Sequence, residues 1–87
     1  MNFNSIKEIA AELKPMLDNW LSGQEITSTE VVSCQRIYKF VFFDNSNLFP
    51  KNPSNEWDKN SYASMYTCDT CYRNIMNQLN GWYELNK

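Results

Sequence analysis

Apolar positions recur at helical spacing near the start of the chain. At 100° per residue, Ile6, Ile9, Ala10, Leu13, Met16, Leu17, Trp20 and Leu21 fall within an arc of about 140°, while Lys7, Glu8, Glu12, Lys14, Asp18 and Asn19 lie outside it. Ser5 and Glu8 have the spacing of a capping box, and Gly23 supplies a left-handed stop. The pattern predicts an amphipathic helix over 5–22. Pro15 lies on the outer face, where it bends the helix and does not end it.

A second stripe runs through Met65, Cys68, Tyr72, Ile75, Met76, Leu79, Trp82 and Tyr83, about 100° wide. It predicts a helix over 61–85 whose stability comes from packing its aromatic face. Helix propensity contributes little there, because Asn and Thr are frequent and Gly81 weakens the last turn by up to about 1 kcal/mol.

The middle of the chain is ambiguous. Ile37, Tyr38, Phe40, Val41, Phe42 and Phe43 are strand formers, interrupted only by Lys39. A strand needs a partner, yet no hairpin turn stands nearby and the flanking pieces are too short to build a sheet. Thr27 and Glu30 form a second capping-box pair, and Val31, Cys34, Tyr38, Val41 and Phe42 share a helical face. The expectation is a helix over 28–43. The alternative is an α+β fold, with 31–43 as a strand that pairs with a second copy of the chain.

Residues 44–60 contain Pro50 and Pro53 among Asn, Ser and Asp, which predicts a long Pro/Asn-rich loop. Loops of this length usually carry function. The expected fold is therefore mostly α: a single small domain, 1–87, of about three helices.

Composition narrows the function. The chain of 87 residues has no histidine, 8 Lys+Arg against 10 Asp+Glu, and 15% aromatic residues. Without histidine there is no Ser-His or Cys-His nucleophile pair and no common base tuned near neutrality. The carboxylates are spread singly and the two glycines are isolated, so neither a glycosidase pair nor a phosphate loop is formed. The chain is therefore expected not to be an enzyme and to need no cofactor. Direct nucleic-acid binding is disfavoured, because stacking aromatics need a positive groove and Lys51, Lys59 and Arg73 are offset by Glu56, Asp58 and Asp69.

The longest apolar run, Phe40 to Phe43, is far short of the roughly twenty residues that span a bilayer. The first residues show no basic region followed by an apolar stretch, so neither a leader nor a membrane partner is expected. Three cysteines, Cys34, Cys68 and Cys71, make an odd set that suits a reducing cytoplasm. They are weak metal candidates, because zinc usually takes four ligands and none here is a histidine. Cys68-x-x-Cys71 falls two turns inside the third predicted helix, where small buried fillers are expected and a redox pair is not.

What the two stripes leave over is Phe40, Phe43, Phe49 and Trp57. As a helix, the middle segment turns Phe40 about 180° and Phe43 about 120° from its apolar face. With Asp58 beside them, these residues are the candidate partner-binding surface. The expected function is non-enzymatic binding of another protein, a larger bacterial protein or complex. Twelve asparagines, roughly three times the usual share, fit an AT-rich phage or mobile element. An anti-CRISPR or other anti-defence inhibitor is the specific expectation. The alternatives are a cysteine-based metal or redox regulator, an immunity or antitoxin protein, and a homodimer formed through the same patch.

Overall fold

The computed structural model describes residues 5–45 and 58–87. Short-range hydrogen bonds set where its helices begin. Ser5 Oγ accepts the Glu8 N–H at 3.2 Å and starts α1, Ile6–Leu21. Thr27 and Glu30 cap reciprocally, at 2.9 and 3.1 Å, and start α2, Ser28–Lys39. Asp58 accepts the Ser61 N–H at 3.0 Å and starts the short α3, Lys59–Ala63. Cys68 caps the last helix, α4, Asp69–Asn86, its sulfur accepting the Cys71 N–H at 3.2 Å.

The protein is mostly α, and among the described residues there is no strand. α1 runs unbroken through Pro15, which is exposed on its outer face. It ends in a paired C-terminal motif: Gly23, at φ +85°, donates to Trp20 O at 3.1 Å, and Gln24 donates to Asn19 O at 2.9 Å.

Two predicted elements are corrected. The helix expected over 28–43 is α-helical only to Lys39 and continues as a π turn, Phe40–Asp44, closed by Asn45 N–H to Phe40 O at 3.0 Å. Val41 and Phe42 are in the core and Phe43 is exposed, as the helical face predicts, so the wider turn leaves that pattern in place. Phe40, expected to face away, is half-buried against the core. The single helix expected over 61–85 is two. Its path breaks at Ser64, whose carbonyl accepts both Thr67 N–H and Cys68 N–H at 3.0 Å, and Cys68 is extended at φ −132°, ψ 112°. Ser, Thr, Tyr and Cys are indifferent helix formers, so little propensity opposes the break, and the turn still buries Met65. Of the loop expected over 44–60, Asp44 belongs to the π turn and Lys59 and Asn60 belong to α3. Residues 46–57, with Phe49 and Trp57, lie outside the described residues.

The core joins α1, α2, the π turn and α4. Ile9, Leu13 and Leu17 meet Cys34, Ile37 and Tyr38, with Ile75, Met76, Leu79 and Trp82 packed between them, all essentially without solvent exposure. Tyr38 and Phe42 stack obliquely, ring centres 4.8 Å apart. A polar chain crosses this interior. Tyr38 O–H donates to Gln78 Oε1 at 2.8 Å, Gln78 donates to Asn74 Oδ1 at 3.3 Å, and Asn74 donates to Asp58 Oδ2 at 2.8 Å. The Asp58 N–H returns to the Tyr38 hydroxyl at 3.1 Å, which binds the start of α3 to both long helices.

Candidate functional site

Two turns far apart in sequence come together at one end of the molecule. The link between α1 and α2, held in shape by Gly23, faces the link between α3 and α4, held by Ser64 and Cys68. Between them lies an open cleft of about 620 Å³. Trp20, Ile26, Val31, Met65, Tyr66 and Tyr72 supply its apolar lining. Met65 is wholly buried beneath it, whereas Tyr66 is 52% exposed. Glu25, Asp69 and Arg73 give the cleft charges of both signs, with Asp69 and Arg73 paired at 2.9 Å.

Cys68 belongs to this lining, at the N-terminus of α4. This corrects the expectation that Cys68 and Cys71 lie two turns inside a helix. The neighbouring Cys71 thiol and the Cys71 N–H, 3.2 Å from the Cys68 sulfur, together hold the Cys68 pKa below that of an ordinary thiol. Cys71 is pushed up by the neighbouring Cys68 and by partial burial. Cys34 is elsewhere. It is fully buried, its thiol 3.7 Å from Met16 Sδ, and desolvation pushes its pKa up to about 12. The three candidate thiols are thus a pair and a separate core residue. Among the described residues no three His, Cys, Asp or Glu side chains gather as metal ligands would.

Of the residues singled out from the sequence for partner binding, Phe40, Phe43 and Asp58 do not line the cleft, and Phe49 and Trp57 lie outside the described residues. Phe40 and Phe43 sit on the π turn, the first half-buried and the second 54% exposed. Asp58 is spent inside the fold: Oδ1 accepts from the Ser61 N–H, and Oδ2 accepts from the Ser61 hydroxyl at 2.7 Å and from Asn74. These donors hold its carboxyl below the usual range. Sequence reasoning does not single out Trp20, Ile26 and Tyr66, because Trp20 belongs to the α1 stripe and the other two stand outside the predicted apolar faces. The signal available was Gly23 beside Trp20, an aromatic residue at a helix end next to a forced turn.

Among the described residues no helix is long and apolar enough to cross a membrane. Compared with known proteins, the chain matches no family model, no curated protein and no solved structure.

Proposed function

We propose that the protein works by binding another protein, without catalysis, through the cleft between the α1–α2 and α3–α4 turns. The observation that carries this reading is the half-exposed Tyr66, which lines an open cleft of mixed polar and apolar character together with Trp20, Ile26 and Tyr72. Aromatic side chains in such settings are the usual anchors of protein interfaces, and the mixed charges around them suit a polar rim. The lack of histidine supports the non-catalytic half of the reading.

Within this class, the asparagine-rich composition favours a phage- or mobile-element-type inhibitor of a larger bacterial machine. An anti-CRISPR or other anti-defence protein acting in the host cytoplasm is the specific form of the proposal. An immunity protein would use the same binding mechanism.

Mass measurement of the isolated protein in solution, followed by affinity capture from a bacterial lysate, tests the reading. A stoichiometric partner is expected, with Tyr66→Ala weakening its binding by about 2 kcal/mol, roughly 30-fold. Phe43→Ala, on the separate exposed surface of the π turn, is expected to bind within about twofold of the native chain. Loss of binding in Phe43→Ala alone would move the site to the π turn. Absence of any stoichiometric partner would overturn the reading.

A further inference from the structure

We propose that Cys68 and Cys71 are a redox-active dithiol, which closes to an intramolecular disulfide by exchange with a small-molecule disulfide entering the cleft. Three features of the site converge on this. Cys68 is the N-cap of α4 and Cys71 stands three residues on, so both thiols occupy the first turn of one helix. Residues so spaced have β-carbons about 5–6 Å apart in a regular helix, and the extended backbone of the cap residue adjusts that distance toward the range a disulfide spans. The Cys68 sulfur already faces Cys71, 3.2 Å from its backbone nitrogen, so bond closure is a matter of side-chain rotation.

Access and polarity complete the case. Cys68 lines the cleft and both thiols are part-exposed, so an incoming disulfide can reach the pair at Cys68. The positive end of the α4 dipole and the Cys71 N–H stabilise a thiolate at Cys68, and thiolate is the attacking form. Cys71, three residues on in the first turn of α4, is placed to act second. Cys34 takes no part, being enclosed by the core.

The exchange balances in two steps. The Cys68 thiolate attacks one sulfur of R–S–S–R. That S–S bond breaks, a Cys68–S–S–R bond forms, and the departing thiolate takes up the proton lost by Cys68. The Cys71 sulfur, as it gives up its proton, then attacks the Cys68 sulfur. The second thiolate leaves and is protonated by the proton from Cys71. The protein loses two electrons and two protons, and R–S–S–R gains them as two R–SH.

The test uses the full, reduced chain with oxidised glutathione at neutral pH, followed by alkylation and peptide mapping. The expected product is a Cys68–Cys71 disulfide lacking two hydrogens, with Cys34 alkylated only after unfolding. Cys71→Ser is expected to accumulate a glutathione mixed disulfide at Cys68. Cys68→Ser, which retains a capping oxygen, is expected to react at Cys71 at least about tenfold more slowly. Recovery of both thiols unmodified, a bond that includes Cys34, or equal rates in the two variants would overturn the proposal. So would stoichiometric zinc retained by the reduced chain with both thiols protected from alkylation. The wild-type mapping stands even if a variant misfolds. It reads the isolated protein, so its failure is separate from failure of the protein-binding reading.

Discussion

The Tyr38 hydroxyl is buried, donates to Gln78 and accepts from the Asp58 N–H, so a single oxygen ties α2 to α4 and to the start of α3. Tyr38→Phe leaves the ring packing intact and withdraws that oxygen from two groups at once. Buried partners stripped of a hydrogen bond cost about 1–3 kcal/mol. The substitution is expected to lower the urea midpoint accordingly, with the slope of the transition unchanged. Little of this was legible in the sequence, where Tyr38 reads only as a large apolar member of a stripe. Its polar role depends on residues 20 and 40 positions away along the chain. Cysteine shows the same gap at closer range. Cys68 fits the helical period of Met65, Tyr72 and Ile75, and so passes for a core position. Its sulfur nevertheless replaces the oxygen that usually caps a helix, a role that residue preferences do not assign to cysteine.

At the scale of elements, the first and second helices were legible because their signals are local. The Ser5 cap, the Thr27–Glu30 box and Gly23 each act within a few residues. Gly23 shows how much backbone alone can decide. A β-carbon added there would meet nothing within 4 Å, yet the residue sits at φ +85°. Gly23→Ala therefore costs only the left-handed conformation, about 1–2 kcal/mol. A fall of roughly 5–10 °C in Tm is expected, and Gly23→Asn should fall less because Asn tolerates that region. The break between α3 and α4 was not legible, since Met65 is buried through a turn while still matching a helical period. The π turn was hidden for another reason. Four consecutive apolar residues, Phe40 to Phe43, carry no period and so cannot report a change of pitch.

Across the whole molecule, the cleft is built from turns about forty residues apart, and only the packing of α1 and α2 against α4 brings them together. No local pattern announces such a site. The same packing gives the fold a dependence on acidity. The Ser61 N–H and hydroxyl, with Asn74, hold the Asp58 carboxyl below its ordinary value. A depressed folded-state pKa contributes stability above the unfolded value of about 3.9, and that contribution disappears as pH falls through the lower, folded value. Asp58→Asn keeps a capping oxygen and loses the charge. The native chain is expected to be the more stable at pH 7, with the difference shrinking below about pH 4 in urea titrations run across pH.

The π turn also bears on how the chain can change in length. It is an α-helix that has absorbed one surplus residue. Losing one of the five residues from Phe40 to Asp44 would restore the regular ladder without opening a gap in the backbone. Removing Val41 or Phe42 would take a large side chain out of the core, at about 2–4 kcal/mol, whereas removing Phe43, which is exposed, would leave both on the regular helical face. Deleting a core residue at this point thus trades side-chain burial against helical regularity, whereas in the regular turns of α1 or α4 a one-residue deletion would rotate every following contact off the core.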